Sequence, residues 1–187
     1  MLKLDSTGDW FDDARRVHSP NFDARPPDCD IDLIIVHGIS LPPGEFGGPH
    51  IEQLFCNRLD PNAHECFGSI ARLKVSTHLL IRRDGALVQF VALSDRAWHA
   101  GESRFGDRVR CNDFSIGIEL EGTDCMPYEA AQYEHLGEVC RTLMHRWPAI
   151  DPDRIVGHSD VAPRRKTDPG PAFDWRRLKK LLAAPSP

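Results

Sequence analysis

The sequence predicts one α/β or α+β domain, a central sheet covered by helices, and three observations carry that expectation. The chain has 187 residues, 41% of them hydrophobic, which supplies one packed core and disfavours several independent units. Short apolar runs of strand character are interspersed with segments of helical periodicity. No internal repeat or low-complexity tract interrupts them, so residues 1–187 are read as a single domain.

Taken in order, Ile31-Asp-Leu-Ile-Ile-Val36 is a β-branched apolar run that suits a buried strand ending at His37. Leu41 to His50 carries three prolines and three glycines, which propagate neither a helix nor a sheet ladder, so an irregular loop is expected there. Ile51, Leu54 and Phe55 then give a short helical face. Ser76–Arg83 and Ala86–Val91 flank Asp84-Gly85, a dipeptide that tolerates the positive φ angles of a tight hairpin. From Phe114 to Glu121, Ile116, Ile118 and Leu120 alternate with Ser115, Gly117, Glu119 and Glu121, so Glu119 points away from the apolar strand face. Leu136, Val139, Cys140, Leu143, Met144 and Trp147 recur at helical spacing until Pro148 stops them. Ile155 and Val156 suit a short strand before Gly157-His158. Trp175, Leu178, Leu181 and Leu182 mark a closing helix with Asp174 as its N-cap.

Composition excludes some function classes. A net charge of -5 with 27% charged residues provides no global basic field for nucleic acid or an anionic membrane. No apolar run approaches the roughly 20 residues that span a bilayer, and the first ten residues lack the pattern of a secretory signal, so a cytoplasmic protein is expected. Six cysteines without a CxxC pair are then expected as free thiols.

Chemistry concentrates at two histidines. His37 closes the first buried strand, while His158 opens a run to Gly170 that combines an imidazole with the Asp168 carboxylate and neighbouring cations. Two imidazoles and a carboxylate leave the fourth tetrahedral position of a zinc ion open for water, as catalytic zinc requires. Spacing alone leaves metal binding and two ordinary histidines equally open, because no compact HExxH pairing is present. Alternation alone likewise favours a salt-bridging role for Glu119. Trp98 opens a segment reaching Arg110 in which an aromatic face and cations could meet sugar and peptide carboxylates.

Val36-His37, Thr77-His78, Trp98-His99-Ala100-Gly101, Asn112 to Glu119 and the run from His158 to Gly170 occur in the order seen in N-acetylmuramoyl-L-alanine amidases related to phage amidases and peptidoglycan recognition proteins. The resemblance spans about residues 20–180. Leu41-Pro42-Pro43-Gly44-Glu45-Phe46-Gly47-Gly48 and Glu119 to Asp124 are most similar to the branch that acts on anhydro-muropeptides in cell-wall recycling. It implies a mixed sheet flanked by helices, zinc held by His37, His158 and Asp168, catalytic roles for Glu119 and Lys166, and substrate-binding positions at Lys74 and Arg110. The implied partner is a small muropeptide, with neither nucleic acid, membrane nor an obligate protein partner.

The chain departs from that pattern in two places. Thr77 stands where several relatives carry a tyrosine, which leaves Glu119 without a rival as base, and His78 is read as a satisfied core histidine. Gly38 stands where the anhydro-specific branch usually has asparagine, so Gly38→Asn is expected to keep zinc and to improve the specificity constant. Glu121 is read as a solvated or capping carboxylate. The competing functions are a non-catalytic peptidoglycan-binding module, which the complete ligand set disfavours, a secreted lytic amidase, and a regulatory protein acting only by contacts.

Overall fold

A computed structural model describes residues 2–184. Six strands make its central sheet: β1 (Arg15–Arg16), β3 (Leu33–Ile39), β4 (Leu79–Ile81), β5 (Leu87–Gln89), β9 (Ser115–Glu121) and β10 (Ile155–Gly157). Their order across the sheet is β1-β5-β4-β9-β3-β10. Two small antiparallel ribbons, β2 (Phe22–Asp23) with β6 (Arg96–Ala97) and β7 (Arg104–Phe105) with β8 (Arg108–Val109), complete the strands. Only the hairpin pair β4–β5 is antiparallel within the large sheet, so the sheet is mixed as expected.

Helices cover both faces. Ile34 and Val36 of β3 and Ile116, Ile118 and Leu120 of β9 pack against α2 (Ala130–Arg146) and α4 (Trp175–Ala183) through Tyr133, Leu136, Val139, Cys140, Leu143 and Leu178. The Asp174 side chain accepts from the Arg177 N–H and caps α4, as its sequence position predicts. On the opposite face, Leu80 and Val88 meet α1 (His50–Phe55), and Leu33 and Ile35 meet Phe114 and Val161.

Three features differ from the sequence expectations. β3 runs through His37 to Ile39, because β9 offers matching ladder partners there: His37 lies beside Glu119, Gly38 beside Leu120 and Ile39 beside Glu121. α2 begins at Ala130, six residues before the first apolar residue of the pattern. Its buried Gln132 donates to the Ile81 and Glu121 carbonyls, an anchor that hydrophobic periodicity does not reveal. Glu121 is only 1% exposed rather than solvated, and accepts from the Arg82 guanidinium and the Gly47 N–H. It ties the irregular loop 41–49 to the sheet, and the buried charge is tolerable because it is paired and hydrogen-bonded.

Candidate metal centre and active site

The parallel strands β9, β3 and β10 lie side by side, and their carboxyl ends open at one place. Crevices at such ends are the usual sites of α/β sheets. Period-two alternation puts His37 on the same face as Leu33 and Ile35, and Glu119 on the same face as Ser115 and Gly117, away from α2. His158 follows β10 directly as the first residue of α3 (His158–Val161), and the segment after α3 returns Lys166 and Asp168 to the strand ends. There the Ser159 N–H donates to the Asp168 carbonyl.

His37, His158 and Asp168 form one group of potential metal donors. His37 Nδ1 lies 2.9 Å from His158 Nδ1 and 3.3 Å from Asp168 Oδ2, and His158 Nδ1 lies 3.0 Å from the same oxygen. Donors of a tetrahedral zinc with bonds of about 2.0–2.1 Å stand about 3.3 Å apart, so these separations are close to what zinc requires. The outer nitrogen of His158 lies 3.2 Å from the Ala100 carbonyl. A carbonyl only accepts, so that nitrogen carries the hydrogen and Nδ1 presents its lone pair inward.

Electrostatics agree with this donor set. Burial pushes the His37 imidazole down to about 4, which keeps the ring neutral and available as a ligand. At Glu119 burial, reinforced by the Asp168 charge and opposed by Lys166, pushes the carboxyl well above the ordinary value. Glu119 Oε1 stands 4.0 Å from His37 Nδ1, while its buried Oε2 has no hydrogen-bond partner among the described residues. A buried carboxylate oxygen facing a donor cluster without a protein partner suits a group that handles the proton of a water or substrate.

His37, Glu119, His158, Lys166 and Asp168 all line one cavity of about 200 Å³, together with Gly38, Leu73, Val75 and His99. Lys74 is an exposed side chain between two of those lining residues. Arg110 lies elsewhere: its side chain is 66% exposed, pairs with Asp113, and borders a second cavity with Arg104, Arg164 and Arg165. Trp98 is half-buried and donates its indole N–H to Asp23, a structural tie beside the site. His78 is the satisfied core histidine expected, accepting from the Gly117 N–H and donating to the Asp95 carbonyl.

Two residues that sequence reasoning undervalues shape the centre. His99 contacts His37 directly, although the sequence shows it only as part of the Trp98-His99-Ala100-Gly101 motif, without a role of its own. Tyr128 belongs to none of the sequence motifs. Its hydroxyl donates to the Pro169 carbonyl, next to Asp168, and its buried ring packs on Phe173.

Tyr128 also overturns the expectation for Gly38→Asn. A Cβ added at Gly38 would stand 2.3 Å from the Tyr128 hydroxyl oxygen, so any side chain there must displace a packed ring that braces the Asp168 segment. Gly38→Ala is therefore expected to cost about 1–3 kcal/mol as an overpacking change. With Tyr128→Phe in the same chain the next ring atom is 3.6 Å away, and most of that cost should disappear. Urea unfolding of the two single variants and the double variant measures this coupling; strictly additive effects would show that the two positions do not compete for the same space.

Comparison with known proteins accords with this geometry. The chain belongs to the N-acetylmuramoyl-L-alanine amidase family, whose sequence pattern matches residues 27–171. Within it, the chain is 58% identical over 177 residues to the 1,6-anhydro-N-acetylmuramyl-L-alanine amidase AmpD of Salmonella typhimurium (strain SL1344), covering 95% of this chain and 94% of that one. It is 57% identical over 174 residues to AmpD of Escherichia coli (strain K12), covering 93% and 94% of the two chains. A crystal structure of a selenomethionine AmpD derivative superimposes with a TM-score of 0.93 at 56% identity, over 97% of this chain and 99% of that one. The amidase AmiD of E. coli, solved with anhydro-N-acetylmuramic acid-L-Ala-D-gamma-Glu-L-Lys as substrate, shares the fold with a TM-score of 0.61 at 26% identity, over 84% of this chain and 60% of that one.

Proposed function

We propose that this chain, as a single catalytic domain over residues 1–187, is a zinc-dependent amidase acting in cytoplasmic peptidoglycan recycling. It hydrolyses the amide between the lactyl group of anhydro-N-acetylmuramic acid and the L-alanine of the stem peptide. The observation that carries this reading is the convergence of His37 Nδ1, His158 Nδ1 and Asp168 Oδ2 within 3.3 Å of one another beside Glu119. The relatives named for this activity cover nearly the full chain, which supports the substrate class.

When bound by His37, His158 and Asp168, zinc supplies water acidified to a pKa of about 7 and a Lewis acid for the scissile carbonyl. Glu119 takes the proton of the attacking water and passes it to the leaving alanine amine, a role worth about 10²- to 10⁴-fold in rate. Lys166 faces the oxygen on which negative charge develops. Lys74 and Trp98 bind the muropeptide beside the cavity, and Arg110 meets its peptide carboxylates from the neighbouring basic cavity.

Elemental analysis of purified protein is expected to give one zinc per chain, and the His158→Ala variant to lose it. A wild-type stoichiometry near zero, or full zinc in that variant, would remove the site. Mass spectrometry of anhydro-muropeptides incubated with metal-replete and chelated protein tests the reaction itself. Free stem peptide should be released only with metal; release after complete chelation would exclude the zinc reading.

A further inference from the structure

We infer that His99 is a positioning residue that locks His37 in the one neutral tautomer able to offer Nδ1 to a metal, through a hydrogen-bond relay ending at the Cys111 carbonyl. The inference rests on the reading of His37 as a ligand. Its logic is a count of hydrogens along four groups. Ser115 Oγ lies 2.6 Å from the Cys111 carbonyl oxygen, and only the serine has a hydrogen to place between them, so the hydroxyl donates there. Its oxygen then remains as an acceptor toward His99 Nε2, 3.3 Å away, which makes that nitrogen the N–H of a neutral ring. His99 Nδ1 is left as a lone pair and faces His37 Nε2 at 2.9 Å. His37 must therefore carry its hydrogen on Nε2, and its Nδ1 lone pair turns toward His158 and Asp168.

The surrounding fold is arranged for this relay. The backbone N–H groups of His99 and Ala100 both donate to Asn112 Oδ1, at 3.2 and 2.7 Å, which fixes the segment carrying the ring. The Ala100 carbonyl serves the outer nitrogen of His158. One short segment, His99-Ala100, thus orients both imidazoles of the candidate centre from behind. Gly117 supplies the room: a Cβ there would stand 2.5 Å from His99 Cγ, so only glycine at that position of β9 admits the ring. Outer hydrogen bonds of this kind fix ligand orientation and typically change metal affinity by about 10- to 100-fold when removed.

Zinc affinity of the full-length chain, measured by competition with a chromophoric chelator, is expected to fall about 10- to 100-fold in His99→Ala. It should recover most of the loss in His99→Asn, whose Oδ1 can take the place of the Nδ1 acceptor. A lost side chain that mattered only for packing would not be restored by asparagine. Nitrogen-15 NMR of the zinc-loaded wild-type chain reads the relay without a variant: His99 should show a protonated Nε2 and an unprotonated Nδ1. A hydrogen on His99 Nδ1, or zinc binding by folded His99→Ala as tight as wild type, overturns the inference. If wild-type protein takes up no zinc, the metal reading fails by itself, while the His99 tautomer read on that same protein still upholds or overturns the relay.

Discussion

Glu119→Gln is expected to lower turnover by at least about 10²-fold while zinc content and fold are retained. Glutamine keeps the shape of the side chain and removes only its capacity to accept a proton. Glu119 is positioned for that capacity by β9, which registers it beside His37 and turns it to the face opposite α2. Its Oε2 has no hydrogen-bond partner among the described residues, so the substitution breaks no protein hydrogen bond at that atom. Burial raises the Glu119 carboxyl and makes the charged form costly, so the neutral amide should not destabilise the chain; thermal unfolding of the variant checks this. Metal content and rate must be measured on the same sample. Wild-type turnover with full zinc would show that another group moves the proton.

Lys166→Met carries the second large effect, a fall of about 10²- to 10³-fold in kcat with KM and zinc content little changed, equivalent to roughly 3–4 kcal/mol of lost transition-state stabilisation. Lys166 lines the same cavity as the three donors and Glu119. Its charge opposes the burial that raises Glu119, so its removal should also drive that carboxyl further toward the neutral form. Methionine preserves most of the length and the apolar stem but not the charge. Steady-state kinetics on an anhydro-muropeptide separates the possibilities: a rise in KM at constant kcat would make Lys166 a substrate-binding residue instead.

Much of the frame of this chain is legible in its local patterns. The hairpin around Asp84-Gly85, the closing helix behind Asp174 and the alternation along β9 each depend on neighbours in sequence, and each forms near its expected place. Element ends are less legible. The extension of β3 to Ile39 depends on a ladder with a strand about 80 residues away, and the early start of α2 depends on a buried glutamine. Residues 33–36 and 136–147 contain no signal for either.

The candidate site divides in the same way. Residue types alone leave His37 and His158 equally open as metal ligands or ordinary histidines; the set of His37, Glu119, His158, Lys166 and Asp168 follows from the resemblance of the ordered motifs to the amidase family. That these residues line one cavity of about 200 Å³ is a tertiary fact, set by three parallel strands whose carboxyl ends open together. The roles of Tyr128, Gly38, His99 and Glu121 are tertiary as well. A glycine that admits a tyrosine hydroxyl, an imidazole that orients another imidazole and a carboxylate that pins a distant loop are defined by neighbours 62 or more positions away. Sequence by itself determined which chemical groups this protein has and which strand faces they occupy, since both follow from composition and from the two-residue period of a strand. Only the tertiary structure decided which groups touch, because contact distance depends on the packing of the whole core.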